Sequence, residues 1–480
     1  MTTSLSVVYN LHADITHNFQ LLKFIYTIIL GGTYFMLSFL KPKAKSHTVP
    51  ADKVMPTYKK LRFISFLGVF LGYMAFYIVR NNISLSSSDL KASLGISKTQ
   101  MGAIMSYMLL AYGLSKGFMS SLSDKADPKK YMALGLFLCA SVNLALGVSH
   151  TVFLVSILVI LLGLFQGMGV GPAFITLASW YPKKERGRMT ALWNISHNIG
   201  GGIVASIVTL GFFIFGKEHW KLAYYVFPAI IAIIFVIIIL VLVKGKPENE
   251  GLPTMEEITG ETQKVEVKHV PEEAANLSAG QIFVNYVLKN KHAWYVSLVD
   301  TFVYLIRFGL ISWLPIYLLE TKGFTKGQMG IAFTLFEWAA IPSTLLAGYL
   351  SDKVFKGYRM PPAIGAMVII FFCLIGYWES TSLVWVIVFA SLSGCLIYVP
   401  QFLASVQTME VVPSFAVGNA VGLRGFMSYI VGASFGTWFI GFVVDRVGWS
   451  GGLYVLLTSA VLCIVFAVLS HRGAKELAHK

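Results

Sequence analysis

Long apolar runs alternate with short polar segments along almost the whole chain. A helix needs about 20 mostly apolar residues to cross a bilayer, because every backbone polar group must be satisfied within the span. Twelve runs meet this length and are predicted to be spans, at residues 63–84, 98–121, 131–149, 152–180, 188–215, 223–243, 292–320, 327–350, 361–379, 382–409, 417–444 and 451–470. The pattern is therefore typical of an all-α integral membrane protein.

A long polar segment divides the twelve spans into six plus six, and the two halves repeat each other. The string YIVR at 77–80 recurs as YLIR at 304–307, and SDK at 123–125 recurs at 351–353. Such repeats indicate two pseudo-symmetric six-helix bundles with a binding site between them near the midplane. The chain is therefore predicted to consist of an N-terminal leader and cytoplasmic segment (1–61), a first bundle (62–243), a cytoplasmic linker (244–291), a second bundle (292–470) and a cytoplasmic tail (471–480).

The leader needs its own interpretation, because residues 24–40 are apolar enough for a further span. An odd number of spans would place the first residues outside without a supporting charge pattern. A signal peptide is also disfavoured, since no basic cluster precedes the stretch and no small-residue cleavage site follows. We expect a surface-lying or dispensable leader, with Met36 as an alternative first residue.

The charge distribution agrees with a membrane protein and sets its orientation. Only 13% of the 480 residues are charged, against about one quarter in soluble proteins, and the net charge is +15. Of the 38 Lys and Arg residues, 26 lie on the side of the termini and linker, and seven lie in the opposite loops. The positive-inside rule therefore predicts cytoplasmic termini and a bilayer as the partner of this basic chain, with no nucleic acid involved.

Four cations remain inside the predicted spans: Arg80, Lys116, Arg307 and Arg424. Each costs at least about 2.5 kcal/mol at the bilayer centre, so each is expected to face a cavity or a partner. Two acids at similar depth, Asp300 and Glu337, are able to neutralise two of the four. The surplus of positive charge predicts a visiting anion, and the planar fork of Arg suits a phosphoryl group.

The position of each cation suggests a role. Arg80 and Arg307 occupy equivalent places in the two halves and are expected to clamp one phosphoryl group from both bundles. Lys116 is equally consistent with snorkelling from near a span end. Asp300 precedes Arg307 by seven residues, hence lies on the same helical face, and is expected to pair with it in the empty state.

Histidine and tyrosine side chains add neutral partners. His197 lies three residues after Asn194, and at membrane depth this pair forms a candidate ligand or proton-responsive group. Tyr77 shares a helix face with Arg80, and Tyr304 shares one with Arg307, so phenolic donors are placed to flank the anion. Simple packing of the two tyrosines is an equally good interpretation.

Enzyme chemistry has no support in the motifs. No HExxH or CxxC pattern occurs, and the two GxSxG strings, at 113–117 and 432–436, lie within apolar spans and not at the strand-to-helix turn that a nucleophilic serine needs, so the chain lacks a recognisable nucleophile, base or metal site. The sequence predicts a transport protein that is not an enzyme and uses no cofactor.

Several short strings of this sequence resemble the motifs of a known family. The SDK strings that contain Asp124 and Asp352 resemble the major facilitator signature, in which loop acids and bases pair at the cytoplasmic face. The wider strings resemble the organophosphate:phosphate antiporters over about residues 55–470: GYMAFYIVRNN (72–82), GLSKG (113–117), WYPKKERGR (180–188), WNISHNIGGG (193–202), YLIRFG (304–309) and GYLSDKVFKG (348–357).

This resemblance implies alternating access by rocking of the halves, with phosphate leaving as an organophosphate enters. The phosphate-gripping arginines of the family fall on Arg80 and Arg307. The span-2 lysine, span-5 histidine and span-8 acid of the family fall on Lys116, His197 and Glu337.

Span 11 refines the expected substrate. Similar hexose-phosphate carriers have an Asp and a Lys three residues apart there, whereas this chain has Val421 and Arg424. An Arg424 without a compensating acid would suit a substrate with a carboxylate, such as a phosphoglycerate or phosphoenolpyruvate. The strings at 394–418 and 422–430 also resemble the phosphoglycerate branch of the family.

The full expectation is a monomeric antiporter of the bacterial inner membrane that exchanges phosphoglycerates or phosphoenolpyruvate for inorganic phosphate. A glycerol-3-phosphate or hexose-phosphate antiporter is the alternative within the family. A transporter-like sensor of organophosphates is the alternative outside it.

Overall fold

The computed structural model describes residues 40–41, 48–123, 126–260 and 277–478, and within them it contains twelve long helices and no strand. We label these helices α1–α12. In the first half they are Val54–Ile78 with Asn82–Leu85 (α1), Lys98–Ser123 (α2), Pro128–Val148 (α3), Val152–Gln166 with Val170–Trp180 (α4), Lys183–Phe215 (α5), and Leu222–Val226 with Phe227–Leu242 (α6).

In the second half the helices are Lys291–Glu320 (α7), Lys326–Trp338 with Ser343–Tyr349 and Leu350–Val354 (α8), Met360–Glu379 (α9), Leu383–Glu410 (α10), Val417–Phe426 with Met427–Phe435 and Gly436–Val447 (α11), and Trp449–Ala478 (α12). Among the described residues, ten helices are long and apolar enough to cross a membrane. The other two are α2, which carries Lys116, and α8, which is interrupted at 339–342. The predicted all-α membrane fold with twelve helices is confirmed.

Side chains at the polar boundaries begin several of these helices. The Asp127 carboxylate accepts a hydrogen bond from the Lys129 N–H at the start of α3. Thr325 and Gln328 form a reciprocal capping box at the start of α8. These caps satisfy N–H groups that have no intrahelical partner, and they fix where the chain turns back into the apolar layer.

The two halves pack in the same way. In the first half α1 packs on α5 and α6, α2 on α4, and α3 on α6; the second half repeats these pairs as α7 on α11 and α12, α8 on α10, and α9 on α12. The pairing shifts by six helices each time, so the halves are two pseudo-symmetric bundles. Helix α7 is the most buried, while α6 and α12 lie on the outside.

The bundles contact each other mainly through α2 with α11 and α5 with α8. We call the end that holds the connection between α6 and α7 the linker end, and the opposite end the far end. The connection contains four short helical segments in its described parts: Pro247–Glu250, Met255–Thr259, Ala279–Ile282 and Phe283–Leu288. Of the predicted leader and cytoplasmic segment (1–61), residues 1–39 and 42–47 lie outside the described residues, as do the central linker residues 261–276.

Candidate functional site

Arg80 lies at the interface of the bundles, in a break of α1 between Ile78 and Asn82. Its side chain is 3% exposed. One guanidinium nitrogen donates to the Tyr77 hydroxyl at 3.4 Å, and the guanidinium carbon lies 4.3 Å from the centre of the Tyr112 ring. The described partners of this buried cation are therefore neutral aromatic groups. Tyr77 therefore contacts Arg80, and its role beside an anion stays a prediction.

Arg307 projects from α7 towards α10 and is 6% exposed. It donates to the Gln401 side-chain oxygen at 3.1 Å and to the Tyr398 hydroxyl at 2.5 Å. Its guanidinium carbon also lies 4.4 Å from the centre of the Tyr398 ring. Arg307, like Arg80, is thus held by uncharged groups. The Tyr304 hydroxyl accepts a hydrogen bond from the same Gln401 at 3.5 Å.

Tyr398 connects the bundles through α5. Its hydroxyl accepts from Arg307 and from the Asn198 amide at 2.9 Å, which leaves its own hydrogen for the His197 Nε2 at 3.2 Å. The other ring nitrogen of His197 faces the Asn194 carbonyl and so carries the hydrogen of a neutral imidazole. Asn194 therefore contributes its backbone oxygen here, and Asn198 supplies the amide.

Glu337 of α8 is 2% exposed and bridges to the other bundle. Its two carboxylate oxygens accept from the side-chain amides of Asn81 and Asn198, each at 3.2 Å. Glu337 makes no ion pair with an arginine among the described residues, because the amides of α1 and α5 occupy both oxygens, and its neutralising role stays a prediction. The carboxylate still lies close to the arginine pair and ties α8 to α1 and α5.

The two arginines belong to one site. Arg80 lies against the Tyr77 ring, the Tyr77 ring centre is 5.2 Å from that of His197, and His197 contacts Tyr398, the partner of Arg307. A guanidinium of each bundle thus flanks a wall of three rings. Two buried cations with only neutral hydrogen-bond partners are costly unless an anion completes them.

Arg424 is the cation whose surroundings differ most from the prediction. It donates to the Asp300 carboxylate at 2.8 Å and to the Ser405 hydroxyl at 2.8 Å. The Ser428 hydroxyl donates to the same Asp300 oxygen at 2.6 Å. The expectations that Arg424 lacks a compensating acid and that Asp300 pairs with Arg307 are both wrong. The acid that α11 lacks is supplied by α7, against which α11 packs.

A cavity of about 560 Å³ lies between the bundles on the linker side of the arginine pair. Its walls come from α2, α4, α7 and α11, and they include Asp300 and Arg424. Lys116 faces this cavity, with its ammonium 5.7 Å from the centre of the Tyr429 ring. Tyr304 also lines it and packs on Tyr429 at 5.0 Å between ring centres. The cavity therefore brings together two cations and one acid.

The far end of the interface is closed by ion pairs between the bundles. Lys91 and Lys98, from the first bundle, pair with Glu320 at the end of α7 at 2.7 and 3.1 Å. Lys326 at the start of α8 pairs with Asp89 at 2.6 Å. The described interface thus has inter-bundle ion pairs at its far end and a cavity in its linker half.

Of the two acids in the SDK strings, Asp124 lies outside the described residues. Asp352 lies in the last turn of α8, where it pairs with Arg359, which also pairs with Glu410 at 2.9 Å. Burial opposes the charged form of Arg359, but its hydrogen bonds to Glu410 and Asp352 raise the pKa of this guanidinium above its ordinary value. This cluster joins α8, α9 and α10 at the linker end.

Sequence reasoning missed the neutral polar side chains of the site. Tyr398, Gln401 and Ser405 recur at spacings of three and four along α10, so they lie on one helical face. Tyr398 and Gln401 both contact Arg307, and Ser405 contacts Arg424. A polar stripe on an otherwise apolar span is the signal that would have found them.

Residues 66–436 match the family model described as Major Facilitator Superfamily. The chain belongs to this family. Its major facilitator relatives include the "Phosphoglycerate transporter protein" of Salmonella typhimurium, which is 61% identical over 92% of this chain and 96% of the relative. The "Glycerol-3-phosphate transporter" of Bacillus subtilis is 39% identical over 92% and 100% of the two chains. The "Hexose-6-phosphate:phosphate antiporter" of Escherichia coli K12 is 32% identical over 92% and 98%.

A solved major facilitator structure has the same fold. A bacterial homologue of the human lysosomal transporter Spinster, in an inward-facing and unoccupied conformation, superposes with a TM-score of 0.66 over 86% of this chain and 96% of that one. The sequence identity is 17%, so this likeness concerns the fold alone. Together with the apolar helices, the family membership identifies a multi-pass membrane protein.

Proposed function

We propose that this protein is an antiporter that exchanges phosphoglycerates or phosphoenolpyruvate for inorganic phosphate. The observation that carries the proposal is the pair of buried guanidinium groups, one from each bundle, whose hydrogen-bond partners are neutral. The relative named as a phosphoglycerate transporter, at 61% identity, supports the choice of substrate.

Arg80 and Arg307 bind the phosphoryl group that both exchange partners share. In the empty site Tyr398 occupies a guanidinium nitrogen of Arg307. An entering phosphate oxygen accepts that hydrogen bond instead and gains the charge-assisted bond that a neutral hydroxyl does not provide. His197, Tyr77 and Lys116 complete the polar surround, and Glu337 holds the asparagines of the other bundle in register with it.

Arg424 recognises the carboxylate, which phosphoglycerates and phosphoenolpyruvate have and inorganic phosphate lacks. Arg424 lines the cavity together with Tyr304, whose hydroxyl accepts from Gln401, a partner of Arg307. A second anionic group on the substrate is therefore matched by a second cation on the protein. Hexose phosphates and glycerol 3-phosphate have only hydroxyl groups that could contact Arg424.

The linker end is the cytoplasmic end in this proposal. The concentration of Lys and Arg on the side of the termini and linker supports that orientation. The described structure is then the inward-open state, and rocking of the bundles opens the far-end ion pairs and closes the linker-end cavity. Exchange follows if the bundles rock only when an anion satisfies Arg80 and Arg307.

The proposal is tested by competition against phosphate self-exchange in proteoliposomes made with the purified protein. We expect 3-phosphoglycerate and phosphoenolpyruvate to inhibit the uptake of labelled phosphate at concentrations at least about tenfold lower than glycerol 3-phosphate or glucose 6-phosphate. Arg424→Ala should remove that preference and leave phosphate self-exchange in place. A wild-type protein inhibited only by glucose 6-phosphate would contradict the proposed substrate, and equal losses for phosphate and phosphoglycerate would make Arg424 structural.

A further inference from the structure

The ion pair of Arg424 and Asp300 faces the cavity yet is almost wholly shielded from solvent. The exposed fractions of the two side chains are 14% and 1%. Asp300 lies on α7 and Arg424 on α11, so the pair joins two helices of the second bundle. A charge pair at this depth holds a conformation only if its remaining polar atoms are also satisfied.

Two of those atoms have no hydrogen-bond partner in the described structure: the second oxygen of Asp300 and the Nε of Arg424. Each ion of the pair is thus only half satisfied by the other and by the nearby serines. The nitrogen that Asp300 holds, Nη1, shares the end-on fork of the guanidinium with Nη2, and this fork binds a carboxylate in a bidentate manner. Arg424 is therefore held by Asp300 without being saturated by it.

We propose that Asp300 is a resident counter-anion that occupies Arg424 until a substrate carboxylate replaces it. This inference rests on the proposed function and adds a residue that sets its selectivity. The substrate carboxylate takes both N–H groups of the fork, and Asp300 keeps the hydrogen bond from Ser428. No bond is made or broken covalently, since one carboxylate simply exchanges for another on the guanidinium.

The layout of α7 and α10 places this exchange next to the phosphate site. Asp300 and Arg307 are separated by seven residues, about 10 Å along α7. Across from them, Ser405 of α10 contacts Arg424 and Gln401, one turn away, contacts Arg307. A freed Arg424 lies on the linker side of Arg307, and in this proposal the substrate binds the two guanidinium groups with an anionic group at each end.

Asp300 affects the two kinds of substrate differently. A phosphate ester without a carboxylate cannot replace Asp300, so the ion pair stays intact and Arg424 adds nothing to its binding. A carboxylate substrate gains Arg424 but must displace a competitor already at 2.8 Å. Removing the competitor therefore strengthens only the carboxylate substrates.

The test is Asp300→Asn in the full-length protein, measured by inhibition of phosphate self-exchange. We expect the half-inhibiting concentration of 3-phosphoglycerate to fall about tenfold and that of glycerol 3-phosphate to change less than about twofold. Asp300→Glu, which keeps the competing charge, is the matched control and should stay near the wild-type values. Equal changes for both inhibitors, or weaker binding of 3-phosphoglycerate, would overturn the inference.

A measurement on the wild-type protein covers the case in which Asp300→Asn fails to fold. Infrared difference spectra with 3-phosphoglycerate labelled with ¹³C at its carboxyl group separate the substrate band from the protein bands. We expect a shift in a protein carboxylate band on adding this substrate and none on adding inorganic phosphate. The same bands with both ligands would overturn the inference.

These outcomes separate the inference from the proposed function. If no organophosphate inhibits phosphate exchange by the wild-type protein, the proposed function is wrong. If the wild-type protein prefers 3-phosphoglycerate but Asp300→Asn preserves the ranking and strength of inhibition, the antiporter stands and the role of Asp300 is wrong.

Discussion

At the scale of single residues, Tyr398 is the group on which the arginine site depends most. Its hydroxyl accepts from Arg307 and Asn198 and donates to His197, so one oxygen links α5, α7 and α10. An anion that takes Arg307 from Tyr398 changes the partners of two groups on the opposite bundle. Binding at Arg307 therefore changes the hydrogen bonding of a hydroxyl that also contacts the opposite bundle.

The residue-scale prediction concerns Arg80→Lys and Arg307→Lys, which keep the charge but remove the planar fork. We expect each to lower phosphate self-exchange at least about 100-fold, or roughly 2.7 kcal/mol, because an ammonium cannot form two parallel bonds to one phosphoryl group. The measurement is uptake of labelled phosphate into phosphate-loaded proteoliposomes, normalised to the amount of folded protein.

Arg446→Lys is the matched control for these variants, because Arg446 lies at the far end of α11 against the Phe442 ring. It should exchange phosphate at close to the wild-type rate. A comparable loss in Arg446→Lys, or near-normal exchange in Arg80→Lys, would show that the fork geometry is unimportant.

The cations of this site were predictable from the sequence, and their partners were not. A charge within an apolar span stands out in the sequence because of its cost. Its partner depends on which helix packs beside it. Asp300 shares a face with Arg307 but lies about two turns away, whereas α11 packs directly on α7 and brings Arg424 within 2.8 Å.

At the scale of elements, the contact of α11 with α7 determines how Arg424 meets Asp300. Gly432 lies in the π-helical segment Met427–Phe435, and a Cβ added there would overlap the Thr301 carbonyl of α7. The glycine allows the two backbones to approach closely, as small residues do in membrane helix pairs. Hydropathy predicted the length of α11 but contains no information on its π-helical segment or this close approach.

The element-scale prediction compares Gly432→Ala with Gly418→Ala on the same helix. We expect Gly432→Ala to destabilise the protein by roughly 1–3 kcal/mol, because α11 must move away from α7. Gly418 has open space where its Cβ would be, so Gly418→Ala should be neutral or slightly stabilising. Thermal unfolding in detergent measures both, and equal melting temperatures for the two variants would contradict the role of the close contact.

At the scale of the whole molecule, the two bundles meet tightly at one end and enclose a cavity at the other. The internal repeat and the long linker predicted two bundles with a site between them, and the described helices pack as two bundles. The sequence could not indicate which end is open, because a single chain must fit both the inward-open and the outward-open state. The Lys91, Lys98 and Glu320 contacts belong to the state described here.

Alternating access with obligatory exchange is the central claim at this scale. An empty site leaves Arg80 and Arg307 without an anion, and moving them through the occluded state in that condition costs free energy. In the proposed mechanism, phosphate or a phosphate ester removes this cost in either direction. Transport should therefore need a substrate on both sides of the membrane, whereas a sensor would bind the same ligands without moving them.

The most direct measurement is uptake of labelled 3-phosphoglycerate into proteoliposomes that contain either phosphate or only buffer. We predict rapid uptake into phosphate-loaded vesicles, efflux of phosphate at the same time, and uptake at least about tenfold slower into vesicles without phosphate. Equal uptake into both kinds of vesicle would contradict obligatory exchange, and binding without uptake into either would contradict transport.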